Sequence, residues 1–309
     1  AALYATRAGL DTLVLEKLSA GGQMALTTQI DNYPGFEAGI DGFTLGEKMQ
    51  QGAERFGAKT EIVEVDGVHL QGPVKTVHTN EGIFEAKTVI LAMGAHPRKL
   101  GIPDEVRLVG HGLHYCAACD GMFYKDKTVV VVGGGNSAAA DALLLSRICK
   151  KVILVHRRDE LRATKIYHQS LLQAENVEFQ WNQMVESVIE SIVADDGHDG
   201  RQGRRFSGGR NHVQITGVRL KNAATGEKQE IVCDGIFVSV GREPETRMIE
   251  NQVVLDENGY IIADESTKTN LRGVFAVGDI RTKALRQIVT ATADGANAAY
   301  AVEEYLANK

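Results

Sequence analysis

The sequence predicts an α/β protein built from two βαβ-type units, with the second unit inserted into the first. Apolar runs of strand length recur at 12–16, 88–92, 128–132, 151–155 and 235–240, and several lead directly into glycine-containing turns. Strands that are apolar throughout are typical of parallel sheets covered on both faces. A glycine-rich turn between such a strand and a helix is typical of a nucleotide-binding unit.

Composition limits the classes of function. The 309 residues are 43% hydrophobic and 24% charged, which is typical of a globular chain of about two domains. A formal net charge of -6 argues against binding to nucleic acid, since proteins that bind a phosphate backbone carry a basic excess. No run approaches the roughly 18 apolar residues of a membrane-spanning helix, and no secretory signal begins the chain. We therefore expect a cytoplasmic protein without a nucleic-acid or membrane partner.

The first predicted unit is discontinuous. Residues 1–9 indicate the end of a helix and 12–16 a strand that ends in an acid, so the chain enters part-way through a βαβ unit, and we expect that an upstream segment has been lost. An amphipathic helix is predicted at 45–56 and a meander at 61–92. The pattern of 273–279, followed by an alanine-rich helix, returns the chain to this unit.

The second predicted unit begins near Lys127 and closes with the strand at 235–240. Residues 195–211 are dominated by glycine, aspartate, arginine and other polar residues, so we expect an exposed loop, to which we assign no function. The predicted domains are an outer domain in two segments and one inserted domain, with the bounds 1–111, 243–309 and 112–242 respectively.

The clearest dinucleotide-binding motif is Gly133-x-Gly135-x-x-Ala138, which follows a predicted strand and precedes a predicted helix. The first glycine permits the tight turn, the second lets the backbone approach a pyrophosphate, and the small third residue permits close packing. Amides at the helix N-terminus then hold the phosphate charge. A glycine-rich turn without a ligand is the alternative.

The end of the next strand indicates which dinucleotide is bound. An NAD-binding protein places an acid there, whereas this chain has His156-Arg157-Arg158 followed by Arg162. Guanidinium groups bind a 2′-phosphate, while a carboxylate repels it. The sequence therefore predicts NADPH, with a solvated basic strand end as the alternative.

Cys116 and Cys119 form a CxxC motif between the two units. Two thiols at this spacing can form a disulfide reversibly, and Asp120 could carry the proton that dithiol chemistry gains or loses. Half of a zinc site has the same spacing, but Cys149 and Cys233 are far apart and lie in apolar segments. We expect these two thiols to be buried and inert, and we predict a redox pair and no metal site.

A weaker signal is Gly278-Asp279, which follows an apolar strand and precedes Arg286-Gln287. Ligands of open α/β sheets bind beyond the carboxyl ends of the strands. An acid at such a strand tip can accept hydrogen bonds from a ribitol chain.

Taken together, these motifs resemble low-molecular-weight, bacterial-type thioredoxin reductase across essentially the whole chain. The segments that carry the resemblance, in order and spacing, are 116–121, 133–138, 156–162 and 273–279, with shorter matches at Glu16, 21–23, 32–35, 92–95 and 286–287. The resemblance implies an α/β fold of two Rossmann-like, three-layer ββα nucleotide-binding domains, with the NADPH domain inserted in a discontinuous FAD domain. It also implies a homodimer that passes electrons from NADPH through FAD to the Cys116–Cys119 disulfide and on to thioredoxin.

The resemblance implies roles for individual residues. Cys119 would be the thiol nearer the flavin. Asp120 would be the acid that donates a proton during flavin reduction. The implied FAD contacts are Glu16, Gly21, Gly22, Gln23, Asn32, Ala92, Gly94, Gly278, Asp279, Arg286, Gln287 and Ile288. The implied NADPH contacts are Gly133, Gly135, Asn136, Ser137, Ala138, His156, Arg157, Arg158, Arg162 and Gly241.

The chain departs from the family pattern at three points. The family's first strand and its GxGxxG loop would precede Ala1, the polar stretch at 195–211 is longer than the family usually carries, and Ile288 stands where an alanine is expected.

Three competing functions are open. The flavoprotein subunit of alkyl hydroperoxide reductase shares this module, but Ala117-Ala118 between the cysteines favours thioredoxin reductase. The remaining two candidates are a flavin-free fragment that binds NADPH and a zinc-binding interaction module.

Overall fold

The computed structural model describes residues 1–27, 29–193 and 212–308. By packing, the chain divides into two compact units, the first formed by Ala1–His96 and Arg242–Lys309 and the second by Pro97–Gly241. The second unit therefore interrupts the first in sequence. The first packing boundary lies before Pro97, whereas the sequence placed the domain boundary after residue 111. The predicted polar loop at 195–211 lies outside the described residues.

The helices and strands are numbered in chain order across both units. The helices are α1 (Ala2–Arg7), α2 (Gly42–Glu54), α3 (Glu105–Leu108), α4 (Ala117–Asp120), α5 (Asn136–Ser146), α6 (Lys165–Gln173) and α7 (Ile288–Ala307). The strands are β1 (Leu13–Glu16), β2 (Lys59–Ile62), β3 (Val65–His69), β4 (Lys75–Thr79), β5 (Gly82–Ala86), β6 (Val89–Leu91), β7 (Ala95–Pro97), β8 (Leu113–His114), β9 (Thr128–Val132), β10 (Lys151–His156), β11 (Val177–Trp181), β12 (Gln183–Val193), β13 (His212–Asn222), β14 (Lys228–Val232), β15 (Gly235–Val238), β16 (Arg242–Pro244) and β17 (Val274–Ala276).

The second unit is built on a five-stranded parallel sheet with the strand order β11-β10-β9-β15-β8. Its central strand, β9, is a run of valines that is buried on both faces. Successive side chains of a strand point to opposite faces, so a strand covered on both sides must be apolar throughout. This is the physical basis of the apolar pattern in the sequence.

Different layers cover the two faces of that sheet. Val129 and Val131 pack in one core cluster with residues of α5 and α6 such as Ala142 and Leu171. Val130 and Val132 pack in another cluster with residues of the antiparallel sheet β12-β13-β14, such as Val218. The unit is therefore a three-layer ββα arrangement, as the sequence predicted.

The first unit contains two parallel strand pairs, β1-β2 and β6-β17, and the antiparallel meander β3-β4-β5. The alanine-rich helix α7 packs its Ala298 and Val302 against Phe275 of β17. Helix α2 begins three residues before the predicted start at Leu45, because the carboxylate of Asp41 accepts the Thr44 N–H and caps the helix. Among the described residues, no helix combines the length and apolarity needed to cross a membrane.

Candidate active site

Cys116 and Cys119 form a disulfide at the start of α4 in the second unit. Their Cα atoms are 5.3 Å apart, within the usual range for a disulfide. The Cys119 N–H donates to the Cys116 sulfur at 3.2 Å, so the first cysteine caps the turn that carries the second. Both cysteines are partly exposed, and thiol–disulfide exchange with an external thiol requires such access.

The carboxylate that follows the disulfide is held by a residue that the sequence did not single out. Asp120 Oδ2 lies 3.0 Å from Nδ1 of His114, whose other ring nitrogen lies 2.7 Å from the Tyr124 hydroxyl. His114 is the last residue of β8, and its side chain is 7% exposed. A histidine at the end of a buried strand, two residues before the CxxC motif, is the sequence signal that could have indicated it.

The glycine loop lies between β9 and α5. Gly133 has a φ of +151°, and a Cβ there would meet the Ser239 carbonyl oxygen at 2.4 Å and the Ala138 Cβ at 2.7 Å. Space at Gly135 is open, because nothing lies within 4 Å of a Cβ built on it. The predicted roles of a tight turn, a close approach and a small third residue therefore match the local geometry.

The predicted basic group lies beside this loop. The Arg162 N–H donates to the Gly134 carbonyl oxygen at 2.7 Å. This hydrogen bond joins the segment that follows β10 to the glycine loop. The side chains of Arg157, Arg158 and Arg162 are exposed. Asn136, the first residue of α5, accepts the Thr164 N–H at 2.8 Å and joins the loop to the start of α6.

His156 lies beneath the glycine loop. It is 5% exposed, and a Cβ at Gly134 would meet its ring at 2.2 Å. Burial lowers the pKa of His156, and the charges of Arg162, Arg158 and Arg157 lower it further. Its Nε2 is buried without a hydrogen-bond partner among the described residues. The open space at Gly135 and the exposed arginines fit an anionic dinucleotide whose phosphates lie at this loop.

The predicted flavin contacts fall into two groups within the first unit. Glu16 ends β1 and accepts the Lys17 N–H at 2.9 Å. Gly21 and Gly22 have φ values of +105° and +51°, and they lead into the short 3₁₀ helix Gly22–Leu26. Gln23 of that helix donates to the Ala95 carbonyl oxygen at 2.8 Å, next to Gly94, which has a φ of +75°. Ala92 is exposed.

The second group surrounds the start of α7. Asp279 follows β17, and burial raises the pKa of its carboxyl group, while Arg242 at 3.8 Å opposes this shift. The Nε of Arg242 is buried without a partner among the described residues. Arg286 lies 4.0 Å from the centroid of the Tyr260 ring, a cation–π contact. Gln287 caps α7 just before Ile288, and its side-chain oxygen accepts from Asn32 at 3.0 Å.

The polar groups at this end of β17 can be compared with those of a flavin dinucleotide. A partly buried carboxyl with a raised pKa and a buried guanidinium nitrogen without a hydrogen-bond partner among the described residues are groups that a polar ligand would satisfy. Gly278, with a φ of +73°, turns the chain immediately before Asp279. The donors and acceptors present therefore fit a ribitol or phosphate group at this end of β17.

The remaining predicted site residues and the two other cysteines lie in the second unit. Ser137 and Ala138 lie in the first turn of α5, and Gly241, with a φ of +110°, accepts the Arg98 N–H at 3.0 Å. Cys149 and Cys233 are both buried, as predicted. Burial raises the pKa of Cys149 to about 11 and that of Cys233 to about 12, and the charges of Asp126 and Asp234 respectively add to these shifts. Thiols of this kind are poor nucleophiles.

Comparisons with known proteins show the family of this chain. The family model described as pyridine nucleotide-disulphide oxidoreductase matches residues 1–295. The thioredoxin reductase of Treponema pallidum is 40% identical over 99% of this chain and 92% of its own length. The bifunctional thioredoxin reductase/thioredoxin of Mycobacterium leprae is 40% identical over 99% of this chain and 63% of its own length.

Solved structures give the same result. The thioredoxin reductase of Streptococcus pyogenes has a TM-score of 0.84 and 38% identity, covering 100% of this chain and 94% of the other. That of Giardia duodenalis has a TM-score of 0.85 and 30% identity, covering 99% and 94% respectively. The redox pair, the glycine loop and these relatives lead to one conclusion: the chain belongs to the pyridine nucleotide-disulphide oxidoreductase family and, within it, to the bacterial-type thioredoxin reductases.

Proposed function

We propose that this chain reduces the disulfide of thioredoxin with electrons from NADPH, passed through FAD and the Cys116–Cys119 pair. The observation that carries the proposal is the partly exposed Cys116–Cys119 disulfide followed by a held carboxylate, Asp120. The name of the M. leprae relative supports the partner, because it joins a thioredoxin reductase to a thioredoxin.

The cofactors supply the electrons in this proposal. When bound, NADPH supplies a hydride and FAD passes its two electrons on to the disulfide. Reduction of the disulfide consumes two electrons and two protons and leaves two thiols. Asp120 is the proposed carrier of one of these protons, since it follows Cys119 directly and lies within contact of His114. A thiolate of the reduced pair then attacks the disulfide of the partner through a mixed disulfide.

The residue assignments follow the geometry of each unit. The glycine loop with His156, Arg157, Arg158 and Arg162 is the proposed NADPH site, since the space at Gly135 lets a phosphate approach the start of α5 and guanidinium groups bind phosphates. Asp279, Arg286 and Gln287, with Glu16, Gln23 and Asn32, are the proposed flavin contacts. In both sites the protein's contribution is to bind and orient the cofactor.

Two further parts of the proposal concern assembly and location. We propose a homodimer that acts in the cytoplasm, supported by the resemblance of the whole chain to the family. Light scattering of the purified protein measures the mass directly, and a monomer at working concentration would contradict the dimer.

An anaerobic titration with NADPH tests the electron path. We expect the purified chain to hold flavin and to accept about four electrons, two on the flavin and two on the cysteine pair. The variant with both Cys116→Ser and Cys119→Ser is expected to accept about two electrons, while Cys149→Ala, at a buried thiol, is a matched control that leaves the count unchanged. A preparation without flavin would instead support the alternative of an NADPH-binding fragment.

Oxidised thioredoxin provides the second half of this test. The cysteine variants should fail to reduce it at the expense of NADPH, whereas Cys149→Ala should reduce it as the wild type does. A wild-type chain that takes up four electrons but leaves thioredoxin oxidised would retain the redox pair and contradict the partner.

A further inference from the structure

The imidazole of His114 is bound at both ring nitrogens inside the second unit. Its Nδ1 lies 3.0 Å from the Asp120 carboxylate and its Nε2 lies 2.7 Å from the Tyr124 hydroxyl. The ring is therefore a continuous link between the carboxylate that follows the disulfide and a buried phenol.

Aromatic neighbours fix the orientation of this ring. His114 stacks on Phe237 with ring centroids 5.3 Å apart, and it meets the edge of Tyr124 at 5.2 Å. Tyr124 and Phe237 also contact each other at 5.4 Å. The three rings pack together, so the His114 imidazole cannot turn away from Asp120 without disturbing the core.

The ionisable groups that face the ring come from two short segments. Asp120 on α4 and Tyr124 on the 3₁₀ segment Gly121–Tyr124 contact it directly, and Phe237 of β15 covers it with an uncharged face. Lys127 lies beyond the phenol, 5.6 Å from the Tyr124 ring centroid. A neutral imidazole with its proton on Nδ1 donates to Asp120 and accepts from Tyr124, while an imidazolium donates to both. Either form keeps the Asp120 contact, so a proton can be held or released here without loss of geometry.

We propose that His114 is a positioning residue that holds Asp120 and shares its proton, so that the His114–Asp120 pair acts as the proton reservoir of the dithiol. The inference rests on the proposed role of Cys116 and Cys119 as the redox pair. On reduction the pair gives a proton to a departing thiolate, and on oxidation it takes one back. Tyr124 and Phe237 keep the imidazole in place during both steps.

Reduction of the disulfide by dithiothreitol isolates this proton step from the cofactors. A dithiothreitol thiolate attacks one sulfur, the Cys116–Cys119 bond breaks, and the departing sulfur leaves as a thiolate that takes up a proton. The second dithiothreitol thiol then closes the reagent's own disulfide ring and releases the other cysteine. Two electrons and two protons thus pass from the reagent to the protein.

The experiment follows this reaction on the intact chain from about pH 5.5 to about pH 9. Samples are quenched in acid and alkylated, and the peptide that contains Cys116 and Cys119 is quantified by mass spectrometry. The variant His114→Asn keeps an amide hydrogen bond to Asp120 but cannot carry the proton. His168→Asn is the matched control, because this histidine lies in the same unit and its Nε2 contacts the Ala163 carbonyl oxygen rather than a carboxylate.

We expect His114→Asn to reduce about tenfold more slowly than the wild type near pH 6 and within about twofold of it near pH 9, since general acid assistance matters most where the acid is protonated. Asp120→Asn should show the same loss, and the double variant no further loss, because two groups that act as one unit are not additive. His168→Asn should follow the wild-type curve.

Two outcomes would overturn the proposal. A His114→Asn variant with the wild-type pH–rate curve would show that the ring carries no proton for the pair, and a slowing that is equal at every pH would indicate a structural role only. Failure of the proposed function is distinguishable, because it would appear in the wild type as a pair that NADPH does not reduce, whatever the behaviour of the variants with dithiothreitol.

Discussion

The carboxylate of Asp294 binds the guanidinium of Arg281 through two hydrogen bonds in the interior of the first unit, with Nη2–Oδ1 at 2.7 Å and Nε–Oδ2 at 2.9 Å. Asp294 is 2% exposed and Arg281 is 1% exposed. Oδ2 also accepts from the Gly278 N–H and from Lys283, each at 2.8 Å. This network holds the turn that precedes Asp279, a proposed flavin contact.

Replacing Asp294 by asparagine should loosen this turn. Breaking one side of a buried ion pair leaves an uncompensated charge and costs about 3 to 5 kcal/mol. We expect Asp294→Asn to lower the opening free energy of α7 by that amount, measured by amide hydrogen exchange of α7 peptides. The control is Glu304→Gln on the same helix. Glu304 pairs with the half-exposed Lys268, so this substitution should cost less than about 1 kcal/mol. Equal effects of the two variants would contradict the stabilising role of the buried pair.

The same pair predicts a dependence of stability on pH. Burial alone would raise the pKa of Asp294, but the hydrogen bonds from Arg281 and Lys283 outweigh it and lower the pKa below its usual value. A carboxyl group with a lowered pKa in the folded state stabilises the fold above the pKa of the unfolded chain, near 4, and loses this contribution as the pH falls further. The protection factors of the α7 amides, which correct for the intrinsic pH dependence of exchange, should therefore fall between about pH 4 and pH 2 in the wild type and change less in Asp294→Asn.

Two neighbouring glycines should respond differently to alanine. A Cβ at Gly134 would meet the His156 ring at 2.2 Å, whereas a Cβ at Gly135 meets nothing within 4 Å. We expect Gly134→Ala to lower the free energy of unfolding of the second unit by about 1 to 3 kcal/mol, the usual range for overpacking. Gly135→Ala should keep that stability and weaken NADPH binding by about tenfold or more, because the methyl group stands where a pyrophosphate would approach.

Trp181 is the probe for the unfolding measurement and calorimetry is the probe for NADPH binding. Trp181 is the chain's single tryptophan and lies in β11 of the second unit, stacked on Phe179. A Gly135→Ala variant that binds NADPH as tightly as the wild type would show that the loop is a turn without a ligand, which is the alternative that the sequence left open.

We expect the exposed arginines after β10 to determine the preference for binding NADPH over NADH. Replacing Arg158 and Arg162 by glutamine removes two charged donors to a 2′-phosphate, each worth about 1.5 to 3 kcal/mol. We expect the double variant to bind NADPH about 100-fold more weakly or worse, with NADH affinity changed by less than about threefold. Arg219→Gln, at an exposed arginine paired with Glu230 in the same unit, is the control. Equal losses for both dinucleotides would contradict recognition of the 2′-phosphate.

Asp141 should destabilise the second unit at neutral pH. It lies on α5, burial raises the pKa of its carboxyl group, and its hydrogen bond with the Ser239 hydroxyl opposes the rise. A carboxyl with a raised pKa makes the fold less stable as the pH rises from the unfolded value, near 4, through the folded value. Asp141→Asn, which can still accept from Ser239, should therefore increase the free energy of unfolding at pH 7 by about 1 kcal/mol, and the gain should vanish near pH 3.

The Trp181 fluorescence change on denaturation measures this gain. Glu175→Gln, a change of an exposed carboxylate in the same unit, should leave the unfolding free energy within about 0.5 kcal/mol of the wild type at both pH values. A gain for Asp141→Asn that persists unchanged near pH 3 would have a cause other than the buried charge.

Local motifs in this chain were predictable because each depends on neighbours in sequence. The turn at Gly133 has a positive φ, which favours glycine, and Ala138 lies in the first turn of the helix that follows. The two half-buried cysteines are three residues apart, so their spacing, with no second close cysteine pair in the sequence, predicted the redox pair. The unbroken run of valines in strand β9 predicted that both faces of the strand are buried.

Residues that act across the fold could not be predicted in this way. His114 reaches Tyr124 and Phe237 only because β8, the 3₁₀ segment after α4 and β15 come together in space. Arg281 and Asp294 are 13 residues apart, and nothing in their spacing indicated that their charges would be buried together.

The sequence by itself determined the α/β class, the inserted order of the units and the identity of the dithiol and the glycine loop. These features were predictable because local residue patterns indicate backbone geometry and strand burial. Only the tertiary structure decided which polar side chains meet in the interior. Removing a charge or an imidazole from water is costly unless a partner is in place, and that partner is brought by the packing of distant elements.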